Sequence, residues 1–230
     1  MTDKKDFVRF LIGAGALRFG DFTLKSGRRS PYFINAGAFD TGEKLGRLGG
    51  FYAARIHEAV RAGELPNDID TIFGPAYKGI PLAAAAATAM SREYGEDIGY
   101  TFNRKEAKDH GEGGSFVGKK LKSGDNIIIV DDVITAGTAV RETVPLIRAE
   151  ADVNICGMVI AVDRMERGAG AAGGMSAVGE VSRELGITVL PIATVKEIID
   201  AAQSIMIGGS PAIDKETACR MEEYMAEYCV

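Results

Sequence analysis

The sequence has 230 residues, 46% of them hydrophobic, and 27 Lys and Arg against 32 Asp and Glu give a formal net charge of -5. A chain of this length and ordinary apolar content can bury a sizeable core, which excludes a disordered protein. Its acidic balance excludes a general attraction to nucleic acid, so any anion site must arise from a local concentration of basic residues.

The cysteines and the apolar runs indicate the compartment. Cys156, Cys219 and Cys229 are odd in number and lack metal-ligand spacing, which favours reduced thiols. Residues 1–6 are too charged to open a signal peptide, and no apolar run reaches the roughly 20 residues of a membrane helix. We therefore expect a cytoplasmic protein with no membrane or nucleic-acid partner.

Hydrophobic periodicity predicts helices that alternate with short strands along a single domain, residues 1–230. Helices are predicted over 3–17, 42–62, 80–94 and 176–186, through Val140 to Ile147 with a kink at Pro145, from Thr194, and around Met221 to Tyr228 as a packing helix. Strands are predicted over 69–73, 100–102, 155–162 and 188–192, and from Asn126 to two acids, Asp131 and Asp132. This order predicts the α/β class, with a central, mainly parallel sheet flanked by helices.

A basic segment follows the first helix. Residues 22–39 contain Lys25, Arg28 and Arg29 without one acid, and Gly and Pro interrupt them, which predicts a looped segment. From the charge pattern alone, a solvated hairpin is an equal alternative.

A second basic segment, residues 103–118, is glycine-rich and lacks periodicity, which predicts a mobile loop. For an arbitrary loop of this kind, a solvated connection is the commoner case. It nevertheless contains Arg104, Lys105, Lys108 and His110, the kinds of group that neutralise a leaving pyrophosphate and supply a proton.

The most informative stretch is residues 126–141, which predicts a buried strand, a polar turn and the start of a helix. Gly137 and its small neighbours let backbone N–H groups converge, and the positive end of the following helix favours a phosphate there. Adjacent Asp131 and Asp132 would repel that anion, so they are expected to face sugar hydroxyls or a hydrated magnesium ion. Phosphate beside vicinal hydroxyls describes a ribose 5-phosphate.

Two further strand ends carry single cations. Lys78 follows a Gly-Pro turn, where it is either an ordinary cap or surface charge, or part of an anion site. Arg164 follows strand 155–162, where it either pairs with Asp163 on the surface or grips a carboxylate through two N–H groups.

Two glycine motifs are misleading. Residues 113–119 fit a nucleotide P-loop, but Lys120 stands where Ser or Thr is needed and no strand directly precedes them. Residues 168–173 fit a dinucleotide fingerprint, but five residues separate them from their strand. We expect neither to bind a nucleotide.

The segment Val130–Thr138 resembles the motif that binds phosphoribosyl diphosphate (PRPP) in type I phosphoribosyltransferases. Further matches, spread over nearly the whole chain, resemble the orotate phosphoribosyltransferases of the bacterial and fungal type; they lie at residues 22–28, 30–33, 74–79, 104–110 and 162–168. The resemblance implies the type I phosphoribosyltransferase fold, with an N-terminal hood at 1–40 and a catalytic loop at 103–118. It also implies Mg²⁺ as cofactor and a homodimer whose loop reaches partly into the neighbouring subunit's site.

The implied reaction joins orotate to PRPP, giving orotidine 5′-monophosphate and pyrophosphate in pyrimidine (UMP) biosynthesis. Catalytic roles are implied for Lys108, His110, Asp131 and Asp132. PRPP-binding roles are implied for Lys25, Tyr77, Lys78, Arg104, Lys105, Lys108, His110, Asp131, Asp132, Val133, Ile134, Thr135, Ala136, Gly137, Thr138 and Ala139. Orotate-binding roles are implied for Phe33, Ile34, Thr135 and Arg164, with Ile34 standing where the family has a second aromatic ring. No direct metal ligand is assigned; Mg²⁺ would be held through PRPP, with Asp131 or Asp132 reaching it through water.

Two other functions share these features. A non-catalytic regulator could keep the fold to sense PRPP or a nucleotide, but this chain has no spare domain and its loop is complete. A phosphoribosyltransferase for another base is also compatible with residues 130–138 alone. The segments around Phe33 and Arg164 argue against it, because a buried arginine suits the carboxylate of orotate.

Overall fold

The computed structural model describes residues 3–24, 27–105, 115–168 and 174–230. Its helices are α1 (Lys4–Gly13), α2 (Gly42–Arg61), α3 (Gly79–Ala89), α4 (Thr138–Glu150), α5 (Ala177–Leu185), α6 (Val195–Ser204) and α7 (Lys215–Tyr228). Its strands are β1 (Leu17–Thr23), β2 (Arg29–Ile34), β3 (Thr71–Gly74), β4 (Gly99–Asn103), β5 (Phe116–Gly118), β6 (Asn126–Val133), β7 (Asn154–Asp163), β8 (Val189–Thr194), β9 (Met206–Ile207) and β10 (Ser210–Pro211). A short 3₁₀ turn, Ala36–Ala38, follows β2, and a π-helical turn, Met90–Tyr94, extends α3.

The central sheet has the strand order β5-β4-β3-β6-β7-β8. Only β5 runs antiparallel to its neighbour; the other neighbours in this sheet are parallel. The chain moves outward in one direction from β3 to β4 and resumes on the other side of β3 with β6, so the strand order reverses between β3 and β6. Ligands bind at such a switch point, beyond the carboxyl ends of the strands. The α/β prediction is confirmed.

Strand β6 is buried on both faces, as its unbroken apolar run predicted. Ile127 and Ile129 pack in a core with helices α4 and α5, whereas Ile128 and Val130 pack on the opposite face with α2 and α3. Alternating side chains thereby anchor the strand in two cores at once. The turn that follows β6 therefore starts from a rigid base.

The N-terminal segment differs from its prediction. Helix α1 ends at Gly13 rather than near residue 17, because Gly15 turns the chain at a φ of +73° and β1 begins at Leu17. Strands β1 and β2 then pair antiparallel, so the interpretation of residues 22–39 as a loop was wrong and a hairpin takes its place. The hairpin is not merely solvated, since Tyr32 is buried and packs edge-on against Tyr224 of α7.

Part of the predicted loop at 103–118 is also regular structure. Strand β5 pairs with β4, with Val117 opposite Phe102. Residues 106–114 lie outside the described part of the chain. Helix α4 runs from Thr138 to Glu150 with Pro145 inside it, and a kink there stays a prediction.

The two glycine motifs lie only partly within the described residues. Gly118 lies in β5, and the ammonium of Lys119 donates to the backbone oxygen of Asp70 at 2.9 Å, so this lysine is committed to the sheet. Gly168 lies five residues beyond the end of β7, and residues 169–173 are outside the described ranges. Within those ranges, no helix has the length and apolar character needed to cross a bilayer.

Candidate active site at the carboxyl ends of β3 and β6

A cavity of about 260 Å³ opens at the switch point between β3 and β6. Its walls come from the loop after β3, the end of β6 and the first turn of α4. It is lined by Pro75, Ala76, Tyr77, Lys78, Asp131, Asp132, Val133, Ile134, Thr135, Ala136, Gly137, Thr138, Ala139, Val140 and Met158. The structure thus brings the predicted PRPP motif together with Tyr77 and Lys78, which precede it by more than fifty residues.

The floor of this cavity is the turn that leads into α4. Gly137 caps the helix with a φ of +68° and, being glycine, makes no side-chain capping hydrogen bond. A Cβ atom on Gly137 would lie 2.4 Å from Cγ2 of Val181, so both the backbone angle and the space require glycine. The first-turn N–H groups of α4 therefore face the cavity side with the positive end of the helix, which is an arrangement suited to a phosphate.

The two acids lie within the last residues of β6, and both border the cavity. One oxygen of Asp131 accepts from the N–H of Asp132 at 2.9 Å, and Oδ1 of Asp132 accepts from the N–H of Val133 at 2.9 Å. These turned-back side chains let neighbouring strand residues border one space. Burial and the adjacent Asp132 carboxylate raise the pKa of Asp131 from 3.8 to about 7.

Lys78 is paired with one of these acids. Its ammonium donates to Oδ2 of Asp132 at 2.7 Å, although the Lys78 side chain is 66% exposed and that of Asp132 only 12%. The preceding loop is held by Asn103, whose side-chain oxygen accepts from the N–H of Ala76 at 2.9 Å. Lys78 therefore lies at the cavity mouth, where its positive charge is available to both an acid and an anion.

Arg104 and Lys105 lie to one side of this cavity. Both line a smaller space of about 160 Å³ beside Ala76 and Ala139. One terminal nitrogen of Arg104 is buried and has no hydrogen-bond partner in the described part of the chain, and the ammonium of Lys105 is 5.8 Å from the centre of the Tyr77 ring. The structure thus brings these two cations beside the loop after β3. Lys25, Lys108 and His110 lie outside the described residues.

Phe33 and Arg164 are not part of the cavity lining; they lie on the hairpin and at the end of β7. The ring of Phe33 is 39% exposed and stacks on Phe22 at 5.5 Å, whereas Ile34 packs against the core. Alternation along β2 accounts for this difference, because neighbouring strand residues face opposite sides. Thr135 is exposed beside the cavity, so of the predicted orotate-binding residues only Thr135 belongs to it.

The surroundings of Arg164 were missed in the sequence. Its Nε donates to the hydroxyl of Tyr32 at 3.2 Å, and its Nη2 is 2.6 Å from Oε1 of Glu166. Tyr224 of α7 donates to the same carboxylate oxygen at 2.6 Å. No periodic signal could have found Tyr224, since its spacing is equally that of a packing helix.

Two side chains that hold the backbone of the cavity were also not predicted from the sequence. The hydroxyl of buried Tyr52 donates to the backbone oxygen of Asp131 at 2.7 Å. The guanidinium of Arg141 donates to the backbone oxygen of Ala136 and, through Nε, to Glu184 at 2.7 Å. Both side chains fix the backbone on which the predicted phosphate turn depends.

The described residues of the site offer few ligands for a metal ion. No cluster of three or more His, Cys, Asp or Glu side chains that could hold a metal occurs within the described ranges. Asp131 and Asp132 supply carboxylate oxygens only, which fits a Mg²⁺ ion that takes most of its ligands from water and a substrate's phosphates. The donors present therefore fit a magnesium ion that arrives with its ligand.

Comparison with known proteins identifies the class. Residues 35–169 match the family model of the phosphoribosyl transferase domain. Enzymes of this class generally use Mg²⁺ together with PRPP.

More specific matches cover nearly the whole chain. It is 55% identical to an orotate phosphoribosyltransferase of Bifidobacterium animalis subsp. lactis over 99% of both chains. It is 51% identical to one of Methylococcus capsulatus, over 99% of this chain and 98% of the relative. A crystal structure of the Francisella tularensis orotate phosphoribosyltransferase matches with a TM-score of 0.80 at 34% identity, covering 98% of this chain and all of that one. The chain belongs to the orotate phosphoribosyltransferase family, and the fold and family expected from the sequence are confirmed.

Proposed function

We propose that this protein transfers the phosphoribosyl group of PRPP to orotate, giving orotidine 5′-monophosphate and pyrophosphate in pyrimidine biosynthesis. The observation that carries the proposal is the cavity in which paired acids, an uncapped helix N-terminus and Lys78 converge. Family membership supplies the base, and Arg164, at the end of the neighbouring strand β7, supplies a cation of the right kind for its carboxylate.

The ribose phosphate half of PRPP is assigned to the turn after β6. The N–H groups of residues 134–139 and the positive end of α4 hold the 5-phosphate, with Val133 lining the turn and Thr135 and Thr138 donating hydroxyls. Asp131 and Asp132 accept hydrogen bonds from the two ribose hydroxyls. Because Tyr52 and Arg141 brace this backbone, the acceptors are fixed before substrate arrives.

The diphosphate half is assigned to the basic groups on the other side of the cavity. Tyr77 and Lys78 contact it from the loop after β3, and Arg104 and Lys105 lie beside that loop. Lys25, Lys108 and His110 complete the set as predicted from the sequence. Bound Mg²⁺ supplies positive charge to the diphosphate oxygens.

The chemistry is a displacement at C1 of the ribose. N1 of orotate gives up its proton to water and supplies the electron pair of the new C–N bond, while the pyrophosphate leaves with the electron pair of the C–O bond that breaks. Negative charge builds on the leaving group, so the surrounding cations lower the barrier by stabilising it. Lys108 and His110 are assigned to this stage, with His110 as the proton donor to the pyrophosphate.

We assign a homodimer in which part of the segment 103–118 of one subunit reaches the site of the other, and we place the enzyme in the cytoplasm. The free thiols of Cys156, Cys219 and Cys229 are consistent with the cytoplasmic assignment. Sedimentation equilibrium tests the dimer.

The reaction is tested by the loss of ultraviolet absorbance as orotate is consumed with PRPP and Mg²⁺. Uracil and hypoxanthine serve as parallel substrates. Turnover of orotate alone supports the reaction and the base specificity together. Binding of PRPP without turnover of any base would indicate a regulator instead.

A further inference from the structure

One carboxylate outside the cavity, that of Glu166, contacts side chains from its own segment, from the β1–β2 hairpin and from α7. Oε1 of Glu166 accepts from the hydroxyl of Tyr224 at 2.6 Å and lies 2.6 Å from Nη2 of Arg164. Its other oxygen lies 3.5 Å from a terminal nitrogen of Arg28. The side chains of Glu166 and Arg164 are only 15% and 13% exposed, so these contacts are little screened by water.

These contacts leave one nitrogen of the Arg164 guanidinium for a ligand. A guanidinium offers one two-nitrogen edge formed by Nε and Nη2 and another formed by Nη1 and Nη2. The first edge is divided between Tyr32, which accepts from Nε at 3.2 Å, and Glu166 at Nη2. Nη2 is itself buried against Glu166, so Nη1 is the nitrogen left to contact a substrate carboxylate.

The backbone around Arg164 is held by the same part of the chain. The N–H of Val230 donates to the backbone oxygen of Met165 at 3.1 Å, and the N–H of Arg167 donates to that of Tyr228 at 2.9 Å. Helix α7 and the residues after it thus fix both the backbone and the charge partner of Arg164. This is more than the packing role that the sequence suggested.

We propose that Glu166, held by Tyr224, is a positioning residue that orients Arg164 for the carboxylate of orotate. The proposal rests on the proposed function and adds to it a determinant of base affinity supplied by α7. Neither residue contacts the cavity that we assign to PRPP, so the effect is confined to orotate.

The first test is Tyr224→Phe, which removes one hydroxyl and keeps the ring that packs on Tyr32. We expect the KM for orotate to rise about tenfold, the size of one hydrogen bond to a charged group, with kcat and the KM for PRPP unchanged. Tyr228→Phe is the matched control, because Tyr228 lies one turn further along α7 and its ring packs beneath Arg28 at 4.4 Å. It is expected to keep the parent KM for orotate.

The second test compares Glu166→Ala with Glu166→Gln. Alanine removes the acceptor and should raise the KM for orotate by more than tenfold, whereas glutamine keeps an oxygen in place and should recover most of that loss. A role limited to folding would instead raise both KM values together and lower the melting temperature in parallel.

Equal orotate KM values in the parent, Tyr224→Phe and Glu166→Ala enzymes would overturn the proposal, as would equal rises for orotate and PRPP. Failure of the proposed function is distinguishable, because the parent enzyme itself would then leave orotate unconsumed.

Discussion

The ammonium of Lys78 and the carboxylate of Asp132, 54 residues apart, are joined by a 2.7 Å hydrogen bond across the mouth of the cavity. One partner is assigned to the diphosphate of PRPP and the other to its ribose. The pair holds opposite walls of the site in register and links the two halves of a single substrate.

Lys78→Ala should weaken PRPP binding without unfolding the protein. We expect the KM for PRPP to rise about tenfold or more, since a cation that contacts phosphate is lost. The melting temperature should change little, because Lys78 is mostly exposed and Asp132 keeps the hydrogen bond from the N–H of Val133. Initial rates at varied PRPP and a thermal melt measure both.

The control is Lys44→Ala, which breaks a similar 2.8 Å ion pair with Asp40 away from the cavity. It should leave the KM for PRPP unchanged. A rise of equal size in both variants would show that lost charge in general, rather than the position of Lys78, weakens PRPP binding.

Gly137→Ala should damage both stability and PRPP binding. The new methyl would meet Val181 at a backbone angle that alanine adopts only with strain, at a cost of about 1–3 kcal/mol. Because the turn must shift to relieve the contact, the KM for PRPP should rise as well. Urea unfolding and initial rates are the measurements.

Gly124→Ala is the control for Gly137→Ala. It introduces backbone strain without displacing the phosphate turn. Gly124 has a φ of +90°, but a Cβ there would meet no atom within 4 Å. We expect this variant to lose stability and to keep the KM for PRPP. An unchanged KM in Gly137→Ala would remove the phosphate role assigned to the turn.

The raised pKa of Asp131, about 7, predicts a pH dependence of PRPP binding. Only the ionised carboxylate accepts from both oxygens, so the KM for PRPP should fall as pH rises from about 6 to 8. Asp131→Asn should bind PRPP more weakly and lose this part of the pH dependence. A pH profile of the same shape in both proteins would contradict the assignment.

The raised pKa of Asp131 acts on folding stability in the opposite direction: PRPP binding strengthens as pH rises, whereas stability falls. Between pH 3.8 and about 7 the folded protein keeps a proton on Asp131 that the unfolded chain has released. The unfolded state therefore binds fewer protons, and this group's contribution to the free energy of unfolding falls as pH rises through that window and is constant above it. Urea unfolding of the parent and Asp131→Asn proteins at pH 5 and 8 measures the difference.

Lys108→Ala should cause the largest loss of kcat among the assigned side chains, because its ammonium is assigned to the leaving pyrophosphate. Unchanged turnover in this variant would remove its catalytic role. Initial rates at saturating orotate and PRPP measure kcat separately from the KM values.

The shared site is tested by mixing inactive Lys108→Ala and Asp132→Asn proteins under conditions that exchange subunits. If the segment 103–118 of one subunit serves the other, hybrid dimers contain one intact site, and about one quarter of parental activity should return. Mixtures that stay inactive after verified exchange would place the loop and the acids of each site on one subunit.

The sequence by itself determined the features that depend on local chemistry. The apolar run of β6 required burial on two faces, and the small residues around Gly137 required a tight turn into a helix. Adjacent Asp131 and Asp132 excluded a simple phosphate site and indicated a sugar beside it. Each of these conclusions follows from residues within one turn or strand of one another.

Only the tertiary structure decided which distant groups meet. The hairpin at residues 17–34 forms because Tyr32 is buried against α7, a contact that no local pattern encodes. The same packing gives Arg164 its neighbours Tyr32 and Glu166, and it brings Tyr224 to that carboxylate. Local periodicity fixes which face of an element is apolar, but the partner of each polar side chain is set by how those faces pack together.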